Sequence, residues 1–237
     1  MKKFPLPLLA PGLALGLLLA ACSGGGAAKT AGAPAAASSK TDVSYAFGVA
    51  IGTSLATTGV EIDNAAFMSG LKDVLAKKPT RIKAADAQGI IQTAIGEAQA
   101  KLADANKAKE AEFLAANGKK DGVKTTASGL QYQVITEGTG PKPSATDTVK
   151  VDYVGTLLDG STFDSSIARK EPAVFQVGQV IPGWAEAVQL MTVGSKYKVW
   201  IPAGLAYGAQ GIPGKIGPNS TLVFEVSLLS IEAPAKK

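Results

Sequence analysis

Between Thr41 and Gly118 apolar residues recur every three or four positions, and after Gly122 the spacing drops to two. The first period predicts helices and the second predicts strands. Thr41 and Asp42 are placed to cap a first helix, along which Tyr45, Val49 and Gly52, with Phe47, Ile51 and Leu55, form the stripe; Gly59 stops it. Asp63 is placed to cap a second, with Phe67, Leu71, Val74 and Leu75 on one face and Lys77-Lys78-Pro79 at its end. A third begins near Ile82 and meets no proline before Asn117-Gly118. Its roughly 35 residues would extend ~50 Å, more than a compact domain needs. Ile90, Ile91, Ala94, Ile95 and Ala98 give its first half a packing face, which thins to Leu102, Ala105 and a polar mixture. A half-buried, half-solvated helix of this kind bridges two bodies. The two short helices hold too few large apolar side chains for a core of their own, so pairing with a second copy is expected. No catalytic constellation occurs between 41 and 118, and the segment is assigned to assembly.

Beyond Gly122, Leu130, Tyr132 and Val134 alternate with Gln131 and Gln133; Val149, Val151 and Tyr153 with Lys150 and Asp152; Tyr197, Val199 and Ile201 with Lys198 and Trp200; and Leu222, Phe224, Val226 and Leu228 with Val223, Glu225 and Ser227. Antiparallel strands with one buried face follow from that alternation. Trp184 to Leu190 leaves room for one short helix, with Ala185, Val188 and Gln189 expected on the sheet's concave side. The fold class expected is α+β.

The N-terminus reads as an address. Lys2 and Lys3 precede an uncharged run from Phe4 to Ala21 that closes on Leu19-Ala20-Ala21-Cys22, the pattern of a signal peptide. Leu-Ala-Ala-Cys resembles the bacterial lipobox, which implies cleavage before Cys22, its lipidation and attachment to a membrane, with Ser23 favouring the outer one. Pro5, Pro7 and Pro11 leave Leu13 to Ala21 as the clean apolar stretch. It would span about 14 Å of a ~30 Å hydrocarbon core, too little for a transmembrane helix. Ser23 to Ser39 is nearly all Gly, Ala, Ser and Pro and is expected to act as a tether. The divisions expected are a leader over 1–21, a tether over 22–40, a helical dimerising segment with its linker helix over 41–121, and a sheet domain over 122–237.

Composition removes several chemistries. The 237 residues contain no histidine and one cysteine. A Cys/His nucleophile, a Ser/His/Asp triad and a zinc site are therefore not available within the chain. Gly214-Lys215 is followed by Ile216 and preceded by Ala209 where a phosphate loop would need glycine. The net charge of +5 includes Lys2 and Lys3. No charge run points to nucleic acid, and no cofactor is implied.

Nine of the chain's fourteen Phe, Tyr and Trp side chains fall between Tyr132 and Phe224, which places an apolar cavity there. Taken singly these residues are ambiguous: aromatics at period two are ordinary core, and Asp164-Ser165-Ser166 also suits a turn or a helix cap. Their joint order is distinctive. Val151-Asp152-Tyr153-Val154-Gly155-Thr156-Leu157, Asp159 to Ser166, Phe175, Val180-Ile181-Pro182-Gly183-Trp184, Ala206-Tyr207-Gly208 and Leu222-Val223-Phe224 together resemble an FKBP-type peptidyl-prolyl cis-trans isomerase domain over about 122 to 232. The helical part is similar to the dimerising segment of Mip-like and related periplasmic members, through Tyr45-Ala46-Phe47-Gly48, the Phe67 to Leu75 helix and the long third helix.

The resemblance implies a half-barrel of strands around the Trp184 helix. Tyr153, Phe163, Asp164, Tyr207 and Phe224 would be its catalytic residues, and Phe175, Val180, Ile181, Trp184, Ile212 and Ile216 its substrate-binding ones. Proline-containing unfolded or extended polypeptides would be its substrates, the family's macrolides its inhibitors, and the bacterial envelope its location, as a homodimer. Two positions depart from the family pattern, Ile212 where many members carry a polar or aromatic residue and Gly217-Pro218 where Pro-Pro is common. A competing reading is a chaperone or surface adhesin that grips proline segments without turnover; the missing histidine disfavours a hydrolase.

Overall fold

A computed structural model describes residues 39–232. The leader, Cys22 and the tether up to Ser38 lie outside the described residues.

The helical part comprises α1 (Lys40–Ala56), α2 (Asn64–Leu75) and α3 (Ala84–Asn117). The cap of α1 is Ser39 rather than Thr41-Asp42. Ser39 Oγ accepts the Asp42 N–H, and Asp42 Oδ2 accepts the Ser39 N–H, both at 3.1 Å. This reciprocal pair satisfies two donors that a helix start leaves open. The Ser39 hydroxyl, donating to Asp42 Oδ2 at 2.7 Å, and then the Ser39 N–H hold the Asp42 carboxyl below its ordinary value. Asp63 caps α2 as its position predicts, its Oδ1 accepting from the N–H groups of Ala65 and Ala66 at 2.9 and 3.0 Å.

Neither α1 nor α2 buries a single residue. Phe47, Ile51, Leu55, Phe67, Met68, Leu71 and Leu75 line an open apolar groove of about 950 Å³ between them. Ile90 and Ile91, expected on a packing face of α3, are half exposed. The second half of α3, expected to be largely solvated, is instead docked, and hydrogen bonds tie it down. Asn106, Glu110 and Asn117 all hydrogen-bond to the sheet region. Gly118 ends α3 in right-handed geometry, with φ −64°, and the chain reverses at Gly122, with φ 78°.

The sheet is wholly antiparallel and contains β1 (Val123–Thr125), β2 (Gln131–Thr136), β3 (Thr148–Leu157), β4 (Thr162–Ser165), β5 (Ala173–Gln176), β6 (Lys196–Ile201) and β7 (Leu222–Glu232). Its order is β1-β2-β6-β7-β3-β4, with β5 paired to the other end of β3. β3 is therefore central: it carries β7 along one edge and both β4 and β5 along the other. Burial along it alternates strictly from Thr148 to Gly155, with Val149, Val151 and Tyr153 inward.

The inner face packs on α5 (Pro182–Leu190). Gly183, Trp184, Ala187 and Val188 form the buried side of this helix. Ala187, not Gln189, completes it; Gln189 turns back to the Ala185 carbonyl at 2.9 Å. A β-carbon on Gly183 would lie 2.3 Å from Ile201 Cγ2, so glycine there lets the helix settle into the sheet.

On the outer face the simple alternation fails. Gln131, only 4% exposed, donates to the Leu114 carbonyl at 2.8 Å and accepts from Asn117 Nδ2 at 3.0 Å. Trp200, which pairs across strands with Gln131 on one side and Val223 on the other, and Val223 itself are also buried yet lie outside the inner core cluster. The end of α3 reaches this face at Gln131, through Leu114 and Asn117.

Candidate functional site

Five rings meet where β3, β4, β5, β7 and α5 converge. Trp184 stands edge-on to three of them, with centroid separations of 6.0 Å to Tyr153, 5.4 Å to Phe175 and 6.2 Å to Phe224. Tyr153 also lies 6.1 Å from both Phe175 and Phe224, and Phe163 meets Phe224 at 5.5 Å and 89°. Tilted and perpendicular arrangements bring positive ring edges to negative faces, the geometry that such pairs prefer. The strand period explains the convergence: Tyr153 and Phe224 point inward from paired β3 and β7, and Phe175 from β5 on the far edge of β3.

The polar corner of this cluster is built on Tyr153 and Asp164. The Tyr153 hydroxyl donates to Asp164 Oδ2 at 2.5 Å. Arg169 donates from Nη1 to Asp164 Oδ1 and from Nη2 to the Tyr153 hydroxyl at 3.1 Å, with its guanidinium 5.7 Å from the Tyr153 ring centre. Burial alone would raise the Asp164 carboxyl, but the hydrogen bonds from Tyr153 and Arg169 outweigh it and hold the group below its ordinary value. Tyr153 is pushed up, first by burial and then by the adjacent carboxylate.

Arg169 was not legible from the sequence pattern. It lies on a single-turn helix, α4 (Ser166–Arg169), capped by Ser165 Oγ, which accepts the Ala168 N–H at 3.1 Å. The cap reading of Asp164-Ser165-Ser166 is thus correct for Ser165, while Ser166 Oγ accepts the Tyr153 N–H at 2.9 Å and donates to Asp152 at 2.8 Å.

Val180, Ile181, Ile212 and Ile216 join the same apolar cluster, Ile216 fully and the others at its margin. The Ile181 carbonyl accepts from Trp184 and Ala185, both at 3.0 Å, whereas its N–H meets no acceptor among the described residues. Tyr207 sits apart from the rings, 37% exposed. Its hydroxyl has no hydrogen-bond partner among the described residues, and burial together with the Asp164 charge raises its pKa. Ile212 and Ile216 face each other through 2.7 and 2.8 Å backbone bonds, closing a loop between Tyr207 and Thr221. At the second departure from the family pattern, a β-carbon on Gly217 would lie 3.2 Å from Leu102 Cδ2, so the small residue admits α3. Among the described residues no group of three or more Asp, Glu, Cys or His could hold a metal ion.

Such a site offers an aromatic floor, one closed polar corner, a free N–H and a free hydroxyl. It has nothing that would transfer a proton near neutrality.

Two family models match the chain: the FKBP-type peptidyl-prolyl cis-trans isomerase over residues 140–229, and the domain amino-terminal to it over residues 40–134. An FKBP-type peptidyl-prolyl cis-trans isomerase FkpA of Aeromonas hydrophila is 48% identical over 209 residues, covering 81% of this chain and 76% of the relative. The outer membrane protein MIP of Legionella longbeachae is 40% identical over 203 residues, covering 83% and 87%. The crystal structure of FkpA from Escherichia coli superposes with a TM-score of 0.65 at 36% identity, covering 85% of this chain and all of the other. Matches that run through the helical part and the sheet alike, at 36–48% identity, leave one assignment: the chain belongs to the FKBP-type peptidyl-prolyl cis-trans isomerases.

Proposed function

We propose that the protein is an envelope-anchored prolyl isomerase that assists the folding of secreted or envelope polypeptides by twisting X-Pro bonds over the Trp184 ring. The observation that carries this reading is the ring cluster around Trp184, whose Tyr153 hydroxyl is paired with Asp164 while the Ile181 N–H and the Tyr207 hydroxyl at its edge remain open.

The reaction breaks no σ bond and crosses an amide-resonance barrier of roughly 18–20 kcal/mol. In the twisted transition state the carbonyl oxygen carries less charge than in the planar imide, so water favours the ground state. An apolar aromatic site removes that preference and lowers the barrier without any proton donor. The proline ring rests on Trp184. The Ile181 N–H holds a substrate carbonyl beyond the proline, and the Tyr207 hydroxyl donates to the one before it. The edges of Tyr153, Phe163 and Phe224 meet the rotating carbonyl oxygen, while Asp164 keeps the Tyr153 ring in place. Phe175, Val180, Ile212 and Ile216 form the walls.

Residues 1–21 act as the leader, 22–40 as the lipidated tether, 41–121 as the assembly segment and 122–237 as the isomerase domain. The open groove between α1 and α2 supports pairing with a second copy. The relative named an outer membrane protein and the lipobox-like Leu19 to Cys22 support attachment to the outer membrane. Proline-isomer exchange on a tetrapeptide tests the central claim. Acceleration above the uncatalysed rate by the purified mature chain is expected; binding of the peptide with no acceleration would move the protein to the proline-gripping chaperone reading.

A further inference from the structure

We infer that Glu110, on the long helix and outside the aromatic site, is a positioning residue for the isomerase: its carboxylate clasps both ends of the loop that carries Tyr207, Ile212 and Ile216. The inference rests on the isomerase reading of that site.

A single oxygen, Glu110 Oε2, accepts the Ala203 N–H at 2.6 Å and the Thr221 hydroxyl at 2.7 Å. Ala203 and Thr221 are the two feet of the loop, 18 residues apart in sequence, and both are nearly inaccessible to water. From Ala203 the chain passes through one 3-10 turn to Tyr207; from Thr221 it enters β7 and reaches Phe224. Among the described residues no other atom joins the two feet.

The grip continues along the helix. One turn earlier, Asn106 Nδ2 donates to the Pro218 carbonyl at 2.8 Å and approaches Ser220 Oγ at 3.4 Å. Asn219, at φ 52°, donates to the Ala103 carbonyl at 3.4 Å. Positions 103, 106 and 110 lie on one helical face by their three- and four-residue spacing. The outer arm of the loop, 216 to 221, is therefore splinted by α3. The inner arm, with Tyr207, is tied to it by the Asn219 N–H on the Gly208 carbonyl at 2.8 Å and by the Ile212–Ile216 bridge. Removing the carboxylate leaves a buried N–H and a buried hydroxyl without an acceptor, which favours opening of the loop.

The test uses the full mature chain and the variants Glu110→Ala, Glu110→Gln and Thr221→Val. Two measurements are made: amide hydrogen exchange across Tyr207–Ser220, and the separate KM and kcat for a prolyl peptide. In Glu110→Ala, exchange in the loop and KM should each rise about tenfold, with kcat little changed, as loss of an acceptor for buried donors predicts. Glu110→Gln keeps an oxygen at the same place and should stay within about twofold of wild type, and Thr221→Val should fall between. If Glu110→Ala does not fold, loop exchange in Thr221→Val decides. Unchanged loop exchange, or Glu110→Gln as impaired as Glu110→Ala, overturns the clasp. A wild-type chain that accelerates no isomerisation defeats the isomerase reading instead, and the exchange data still judge the clasp.

Discussion

Gly155 lies beneath the Phe163 ring: a β-carbon there would come within 2.7 Å of Phe163 Cζ and 2.8 Å of Phe224 Cε1. The perpendicular meeting of those two rings at 5.5 Å exists because this position of β3 has no side chain. Gly155→Ala should therefore push Phe163 out of the cluster. The expected costs are about 1–3 kcal/mol of stability from overpacking and a clear loss of isomerase turnover. Urea unfolding and peptide exchange check both; wild-type turnover in the variant would remove Phe163 from the proposed site.

The three proposed roles predict an order of damage. Tyr207→Phe removes a hydroxyl with no internal partner and should lower kcat/KM a few-fold. Asp164→Ala frees the Tyr153 ring and should cost about tenfold, and Trp184→Ala removes the floor and should cost about a hundredfold or more. Because Trp184 is also core, its loss should lower stability by about 3–5 kcal/mol, so Trp184→Phe serves as the folded control. Equal activity in all three first-named variants would mean the pocket is misplaced.

The pH response follows from the same corner. Asp164 has a folded pKa below its ordinary 3.8. Its contribution to stability is fully present above that value and is lost as pH falls through the lower, folded one. Urea unfolding between about pH 5 and 2 should therefore be less pH-dependent in Asp164→Asn than in wild type. Tyr153 and Tyr207 are both raised above 10.0, and no histidine is present. Turnover should accordingly be flat from about pH 5 to 9, where unperturbed carboxylates and phenols do not change charge. A bell-shaped profile centred near neutrality would require a proton-transfer step that this site does not contain.

The proposed assembly rests on the exposed stripe of the helical part. Phe47 is 66% exposed and Leu75 is 75% exposed on the flanks of the α1–α2 groove. An apolar surface of this extent marks an interaction site. Sedimentation of the mature chain at micromolar concentration should give a dimer, and Phe47→Glu with Leu75→Glu should give a monomer that retains peptide turnover. A monomeric wild type would end the pairing proposal.

Cys22 is the proposed lipid attachment, on a chain in which no described helix is long and apolar enough to cross a membrane. Cys22→Ser should abolish incorporation of radiolabelled fatty acid and move the protein from the membrane fraction to the soluble one. Equal membrane retention by the variant would sink the lipid anchor.

The local signals in the sequence were sufficient for α1, α2, α3, α5 and the longer strands β2, β3, β6 and β7, but not for the short β1, β4, β5 and α4. The switch from period 3.6 to period two, the Asp63 cap and the alternation along β3 depend only on neighbours a few residues apart and appear where the pattern puts them, while β7 follows its pattern except at the buried Val223. The identities of the ring cluster were also legible, because inward positions on strands follow from parity and the order of the motifs carried a family resemblance. What a pattern could not carry is which outward positions a second body covers. Gln131 and Trp200 read as solvent-facing and are buried, and the polar half of α3 read as free and is docked.

By itself, then, the sequence determined the longer elements, most of their inward faces and the lack of histidine, since composition and short-range periodicity are properties of the chain alone. Only the tertiary structure decided the rest. It brought Arg169 onto the Tyr153–Asp164 pair, required glycine at 155 and set Glu110 across the feet of the Tyr207 loop. The physical reason is that hydrogen bonds and van der Waals contacts act over a few ångströms of space. Glu110 and Thr221, 111 positions apart in sequence, reach that distance only once the chain between them has folded.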